Sequence, residues 1–231
     1  QEAQLDNLLR TVAQCPRSAN SALWQMAEAN RISANALVSS GLGERFEFQA
    51  ANPTMDALRA HYGISATGRI DDSLAAAAMA ATAIKNGISR CVSVRVASGI
   101  DTHYANWQTD HGEGIQEGFD AVAKLVADLA ASPYKDTGDT WLDHTVIIGF
   151  SEFSRTPLIN ANGGRDHWLM NACFLLGGNI KGGQVIGASS NVGMNPQPVN
   201  LQTGELLSIA DGGEVVRPEH ILQALYEEIG L

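Results

Sequence analysis

The chain has 231 residues, of which 45% are hydrophobic, so it is long enough for one large domain or two small domains with an ordinary buried core. Its formal net charge is -10 and it contains no dense basic run, which argues against nucleic acid and anionic membrane surfaces as partners. No apolar run approaches the ~20 residues that a membrane-spanning helix needs, so no membrane span is expected.

The cysteines and the first residues bear on the cellular compartment. Cys15, Cys91 and Cys173 are far apart, and two of them lie in apolar runs, so they predict buried free thiols rather than a disulfide framework or a metal site. The start of the chain, QEAQLDNLLR, lacks the charged-then-apolar pattern of a signal peptide. Either the protein is cytoplasmic or its targeting segment has been removed.

Residues 1–70 are predicted to form a helical and connecting region of the same domain as the rest of the chain. Residues 5–39 are rich in Ala, Leu, Gln and Asn and predict two helices, while residues 40–70 mix glycine, proline and a short helical piece. Residues 71–86 have an acidic start, an alanine-rich interior and Gly87 just beyond, which predicts a helix with small side chains suited to packing on a sheet.

Strand-like and helix-like segments alternate through residues 71–231. The predicted strands are 91–97, 145–150 and 171–176, and the further predicted helices are 110–131 and 218–229. Asp110 and Glu113 are predicted to cap the first of these two helices. The alternation predicts an α/β fold with a mainly parallel sheet and helices on both faces.

Polar residues follow two of the predicted strands, where open α/β sheets build their sites. After the strand at 91–97 come Asp101 and His103, whose side chains would share one side of an extended segment. A carboxylate and an imidazole are a normal ligand pair for Zn or Mn, and added carboxylates widen the choice to Mg or Ca. The pair therefore predicts half of a divalent metal site.

The second cluster lies between Ser151 and Trp168, after the strand at 145–150. Its titratable residues are Glu152, Arg155, Asp166 and His167. Asp166 and His167 are candidate metal ligands, or one is a ligand while its neighbour orients it. Glu152 is a candidate ligand or general base, and the Arg155 guanidinium can bind two oxygens of a phosphate, sulfate or carboxylate. Together the two clusters predict a metal site facing a small anion.

Each feature also has a purely structural interpretation. Asp101 and His103 could belong to a turn at the surface, and Glu152 could form an ion pair with Arg155 three positions later. Asp166 could close a turn after two glycines, with His167 stacked on the following tryptophan. The coincidence of two such clusters at two predicted strand ends favours a site.

Three segments together resemble a known family. GIDTHYANW, VIIGFSEFSRTPLINANGGRDHW and FLLGGNIKGGQVIGAS resemble, in order and spacing, the bacterial family called domain of unknown function 1501, from about residue 30 to the C-terminus. This family is a branch of the alkaline phosphatase-like superfamily of phosphatases, sulfatases and phosphate mutases. The resemblance implies that residues 71–231 are the C-terminal part of such an α/β domain.

The resemblance implies roles for several residues. Asp101 and His103 match metal ligands of the superfamily, and His167 matches its last metal histidine in the mutase branch. Glu152 falls where the relatives have an aspartate, whereas Phe153 falls where they have a metal-binding histidine. The implied function is metal-dependent hydrolysis of small anionic phosphate or sulfate esters, in an exported protein that is periplasmic or extracellular.

The nucleophile that the superfamily uses has no counterpart in this sequence. Relatives carry a large segment before the point where the sequence starts, which implies that these residues are a C-terminal portion and that the N-terminal portion could be a separate bound chain. Phe153 and the lack of a nucleophile support a rival hypothesis, an exported binding or assembly protein on a degenerate hydrolase scaffold.

Overall fold

The computed structural model describes residues 2–70 and 72–228. The chain divides into two compact units, the described residues of Gln1–Ile70 with Thr82–Val92 and those of Asp71–Ala81 with Ser93–Leu231. The described residues form α-helices α1 (Glu2–Ala13), α2 (Pro16–Ala19), α3 (Ala22–Ser39), α4 (Pro53–Tyr62), α5 (Ser73–Lys85), α6 (Gly112–Ala131) and α7 (Pro218–Glu228). The strands are β1 (Val146–Gly149), β2 (Ser154–Arg155), β3 (His167–Trp168) and β4 (Phe174–Gly177).

The first unit begins with three helices where the sequence predicts two, because Pro16 starts the separate short helix α2. Helix α4 has clear signals at both ends: Asn52 Oδ1 accepts from the Met55 N–H at 2.9 Å, and Gly63 ends the helix with a φ of 78°. The side chains of Phe48 and Tyr62 are almost fully buried. The signals at its two ends therefore set the bounds of α4.

Helix α5 fits the predicted alanine-rich helix closely. Asp72 caps it, since its Oδ1 accepts from the Ala75 N–H at 2.7 Å. The predicted first residue, Asp71, lies outside the described residues. The fully or almost fully buried alanines of the helix are Ala75, Ala77, Ala78, Ala80 and Ala81. Their small side chains allow a close approach of neighbouring backbone.

The predicted capping pair at the start of α6 is wrong. Residues Trp107–His111 form one turn of π-helix, and α6 begins after it at Gly112. The Asp110 carboxylate accepts hydrogen bonds from Asn106 and Thr109, and His111 stands at the N-cap without a side-chain cap bond. Because Asp110 finds partners within the π-helical turn, it is not available to the first N–H groups of α6.

Residues 91–97 are not a strand, although their alternating pattern predicts one. The end of this run and the residues after it lie along α6, where glycines allow close contact. A Cβ on Gly118 would stand 2.9 Å from the Val96 carbonyl oxygen, and one on Gly114 would stand 3.2 Å from the Ser98 carbonyl oxygen. Packing against a helix therefore replaces strand pairing as the interaction that leads the chain to Asp101.

Strands β1 and β4 pair antiparallel, with Gly149 opposite Phe174. The phenyl ring of Phe174 occupies the space over Gly149, where an added Cβ would meet ring atoms at 2.1 Å. The same ring lies 5.7 Å from the ring of Phe119 on α6. Strands β2 and β3 form a second, shorter antiparallel pair. The mainly parallel sheet with helices on both faces stays a prediction.

The remaining expectations have separate outcomes. The last helix begins at Pro218 as predicted, and its predicted end at Ile229 lies outside the described residues. All three cysteines are free, as predicted, but they are exposed rather than buried. No helix within residues 2–70 and 72–228 is both long enough and apolar enough to cross a membrane.

The contact between α6 and residues 96–98 can be tested with two glycine substitutions. Gly118→Ala should lower the free energy of unfolding by about 1–3 kcal/mol through overpacking against the Val96 carbonyl, less a gain of about 0.5–1 kcal/mol from helix preference. Gly112→Ala in the same helix meets nothing within 4 Å and should be neutral or stabilising. Urea unfolding checks both, and equal effects would contradict the packing argument.

Candidate functional site

The short β2–β3 pair brings two predicted site residues face to face. Arg155 on β2 lies opposite His167 on β3, and Ser154 lies opposite Trp168. The pair continues through the Thr156 N–H, which donates to the Asp166 carbonyl at 2.9 Å. This ladder therefore fixes Arg155, Asp166 and His167 relative to one another.

A second set of backbone contacts holds residues 101–104 against residues 163–165, which lie in the turn between β2 and β3. The Arg165 N–H donates to the Thr102 carbonyl at 3.2 Å, and Tyr104 forms an isolated bridge with Gly163. A Cβ on Gly164 would lie 2.0 Å from the His103 carbonyl carbon, so the two backbones touch. Residues 101–103 are not in a strand, yet the side chains of Asp101 and His103 reach the site because these backbone contacts hold the segment there.

Thr102, between the two predicted ligands, points the other way and is only 1% exposed. Its hydroxyl lies 3.3 Å from His111 Nδ1, which is also 3.2 Å from the Ile100 carbonyl oxygen. The turn before α6 therefore anchors the segment from the inside. This alternation leaves Asp101 and His103 together on the exposed side.

Asp101, His103 and His167 form one compact cluster of ligand-type atoms. His103 Nε2 lies 3.1 Å from His167 Nε2 and 3.0 Å from Asp101 Oδ1, and His167 Nε2 lies 3.5 Å from the same oxygen. Ligands around a tetrahedral ion with bonds of about 2.0–2.1 Å are roughly 3.3 Å apart. The spacing of these three atoms matches that separation.

The hydrogen bonding of His103 also fits a ligand. Its Nδ1 lies 2.8 Å from Asp166 Oδ1, and because an ionised carboxylate only accepts, Nδ1 carries the proton. In a neutral ring with the proton on Nδ1, the Nε2 lone pair is available to a cation beside the Asp101 oxygen. A carboxylate behind a ligating histidine is the usual arrangement at metal sites. Asp166 thus orients His103 and is not in the three-atom cluster.

Arg155 is the most enclosed charged residue of the site, with a side chain 13% exposed. Its Nη2 donates to Asp101 Oδ1 at 2.8 Å and to the Ile100 carbonyl at 3.0 Å. Its Nη1 donates to the Arg165 carbonyl and to His103 Nε2, each at 3.3 Å. The guanidinium therefore holds protein acceptors around the cluster instead of presenting a free fork to solvent.

The carboxylates of the site have lowered pKa values. Hydrogen bonds from Arg155 and then His167 hold the pKa of Asp101 below its usual range. For Asp166 the pKa is lowered chiefly by hydrogen bonds from His103 and then Asn160. Both groups are therefore ionised at neutral pH, as metal ligation and orientation of a histidine require.

Glu152 does not join this arrangement. Its side chain is exposed and makes no hydrogen bond or ion pair with any residue that the structure describes. The ion pair between Glu152 and Arg155, the structural alternative, is also wrong, because Arg155 pairs with Asp101. The structure thus offers no observation that places Glu152 in the site, and its role as ligand or base stays a prediction.

Phe153 stacks on His167, with ring centroids 4.0 Å apart and an angle of 30° between the planes. The Arg155 guanidinium carbon lies 5.5 Å from the centre of the same ring. The aromatic partner of His167 is therefore Phe153 rather than Trp168, the partner in the structural interpretation. Phe153 has a packing role in the site that its sequence position alone did not suggest.

Sequence reasoning also missed Asn160, which bonds to both halves of the site. Its Nδ2 donates to the His103 carbonyl at 3.0 Å and to Asp166 Oδ1 at 2.9 Å. The signal was present in the string Asn160-Ala-Asn-Gly-Gly, since asparagine before glycines commonly bonds to the backbone of its own turn. Nothing in the sequence indicated the two longer-range bonds.

The family model described as "Protein of unknown function (DUF1501)" matches residues 4–210. The chain belongs to this family. The match to DUF1501 begins earlier and ends earlier than the predicted span from about residue 30 to the C-terminus, and it includes every predicted site residue. No curated protein and no solved structure matches the chain.

The three-atom cluster predicts a loss of metal binding in two variants. His103→Ala and His167→Ala should each weaken Zn²⁺ binding by more than about 100-fold. Loss of a residue that only orients a ligand already costs about 10–100-fold, and loss of the ligand itself should cost more. Calorimetric titration of the metal-free protein measures the affinity. His144→Ala is the control, because His144 pairs with Asp139 outside the cluster. Equal affinity in all four proteins would exclude the cluster as a metal site.

The lowered pKa of Asp101 predicts a pH-dependent contribution to stability. A carboxyl whose pKa is lower in the folded protein stabilises the fold above its unfolded pKa of about 3.9 and loses that effect as the pH falls through the folded value. Asp101→Asn should therefore destabilise the metal-free protein at pH 6, and the difference from wild type should shrink below about pH 4. Denaturant unfolding in the presence of EDTA measures this difference in the free energy of unfolding, with Asp136→Asn as the control. A difference that does not change with pH would contradict the prediction.

Proposed function

We propose that this chain provides the metal site of an alkaline phosphatase-like hydrolase that acts on phosphate or sulfate esters. The observation that carries the proposal is the convergence of His103 Nε2, His167 Nε2 and Asp101 Oδ1 within 3.0–3.5 Å of one another. The order and spacing of the sequence motifs support the superfamily, although a fold does not fix an activity.

The ligand set favours a borderline metal. Two imidazoles and one carboxylate suit Zn or Mn, whereas Mg or Ca would need more oxygen ligands. Three protein ligands match the number that catalytic zinc sites use, with a further position open to water or substrate. A divalent ion in such a site supplies Lewis-acid stabilisation of the negative charge on the transferred group.

The residues of the chain would orient and balance this site. Asp166 holds the His103 proton on Nδ1, and the stacked Phe153 ring limits rotation of His167. Arg155 places a positive charge beside Asp101, which would help to attract an anionic ester to the site but would weaken the affinity for a cation. The small anionic ester is therefore the proposed partner of the site.

By resemblance to the superfamily, the nucleophile of the reaction would be a Ser, Thr or Cys. The proposed location is periplasmic or extracellular, again by resemblance to exported relatives. In this proposal Asp101, His103 and His167 would hold the ion beside the attacking group.

A second function, a non-catalytic binding or assembly role, is favoured by the engagement of Arg155. Both of its terminal nitrogens already donate to protein acceptors, so no free fork awaits a substrate. Glu152, the proposed base, stands apart from the cluster. These two observations describe a site that could bind an ion for stability or assembly without turning over an ester.

Hydrolysis assays separate the two functions. The chain is tested with p-nitrophenyl phosphate and p-nitrophenyl sulfate in the presence of Zn²⁺ or Mn²⁺. The hydrolase proposal expects release of p-nitrophenol that requires the ion and falls at least about 100-fold in His167→Ala, as for loss of a metal ligand.

The control is again His144→Ala, which should keep full activity. Tight binding of the ion without release of p-nitrophenol would favour the binding role. Hydrolysis that persists in EDTA, or that is unchanged in His167→Ala, would overturn the assignment of this cluster to catalysis.

A further inference from the structure

Asn160 lies in the turn between β2 and β3, at the centre of the hydrogen bonds that join the two halves of the site. Its Oδ1 accepts from the Asn162 N–H at 2.9 Å and from the Gly164 N–H at 3.0 Å. Its Nδ2 donates to the His103 carbonyl at 3.0 Å and to Asp166 Oδ1 at 2.9 Å. One side chain thus connects four groups.

These four bonds use the full capacity of a carboxamide, which has two N–H donors and one oxygen with two lone pairs. They also fix its orientation. A flipped amide would place its NH₂ group against two N–H groups and its oxygen against two oxygens. The backbone adds a further restraint, since the Asn160 N–H donates to the Gly164 carbonyl at 2.8 Å.

The two acceptors of Nδ2 belong to different metal-site segments. The His103 carbonyl is part of the first segment, and the Asp166 carboxylate precedes His167 in the second. Asp166 Oδ1 accepts hydrogen bonds from both Asn160 Nδ2 and His103 Nδ1, so the amide restricts the position of this oxygen. The oxygen in turn sets the tautomer and the direction of the His103 ring.

We infer that Asn160 is a positioning residue that holds the Asp166 carboxylate against His103 and so keeps His103 Nε2 directed at Asp101 and His167. Asn160 touches none of the three ligand atoms. The inference rests on the proposed function, because it assigns Asn160 a part in the same metal site.

Asn160→Asp separates this role from ordering of the turn. Aspartate has the same shape and keeps an oxygen for the Asn162 and Gly164 N–H groups, but it replaces both donors of Nδ2 with an acceptor. That acceptor would face the Asp166 oxygen and the His103 carbonyl and repel both. The matched control is Asn162→Asp, which adds the same charge two positions away on an exposed side chain whose amide makes no bond to a described residue.

The expected result in a Zn²⁺ titration of the whole chain is a loss of about 10–100-fold for Asn160→Asp. Asn162→Asp should stay within about threefold of wild type, since an exposed charge is largely screened. The direction is decisive, because a purely electrostatic effect of the added negative charge would tighten binding of the cation. Tighter or unchanged binding by folded Asn160→Asp would overturn the inference. If that variant does not fold, Asn160→Ala is tested against the same criterion.

A second readout needs no metal. Long-range ¹H–¹⁵N correlation spectra of the metal-free protein report which His103 nitrogen is protonated. Wild type and Asn162→Asp should show the proton on Nδ1, and Asn160→Asp should show a larger share on Nε2. A wild-type proton on Nε2, or the same tautomer in all three proteins, would overturn the inference. Absence of Zn²⁺ binding in wild type with the expected tautomers would count against the proposed function alone.

Discussion

The contact on which the site depends is that between Gly164 and the peptide that joins His103 to Tyr104. A Cβ at residue 164 would stand 2.0 Å from the His103 carbonyl carbon and 2.1 Å from the Tyr104 nitrogen, so only glycine allows this approach. The Tyr104–Gly163 bridge and the bond from Arg165 N–H to the Thr102 carbonyl lie on either side of it. Asp101, His103 and His167 come together from two distant segments because the two backbones are in contact.

Very little regular structure supports this arrangement. Strands β2 and β3 have two residues each, and residues 101–103 belong to no strand. Side chains take over much of what a longer ladder would do: Arg155 bonds to the Ile100 carbonyl, and Asn160 bonds to the His103 carbonyl. The site is therefore held by polar side chains that bond to backbone, which makes its geometry sensitive to single polar substitutions.

Local patterns in the sequence predicted the helices and the central strands well. The acidic start and alanine-rich interior indicated α5, apolar spacing indicated α6, and the apolar run at 145–150 contains β1. The run at 91–97 was wrongly predicted as a strand. An alternating pattern indicates an extended segment with one buried side, and that side can pack on a helix such as α6 as well as pair with another strand. The shift of the last strand from 171–176 to β4 reflects the pairing of Phe174 with Gly149, which no local pattern contains.

The candidate site was predictable in its residue types and less so in its connections. Asp101, His103 and His167 do come together, but Asp166 bonds to His103 rather than joining the cluster, and Glu152 stays outside it. Asn160 bonds to the His103 carbonyl and to Asp166, and Phe153 stacks on His167. These contacts form only when the turn between β2 and β3 and the segment at 101–104 have come together. Composition and spacing do not encode such contacts, which depend on the tertiary arrangement.

The distance along the chain between the two histidines has a consequence for folding. His103 and His167 are 64 positions apart, so an unfolded chain holds their imidazoles together only rarely, since closing a loop of that length costs conformational entropy. An ion that needs both side chains would bind the folded chain far better than the unfolded one. Free ion at a thousand times its dissociation constant would then stabilise the fold by about 4 kcal/mol. In this way the stability of the folded protein would depend on the concentration of the free ion.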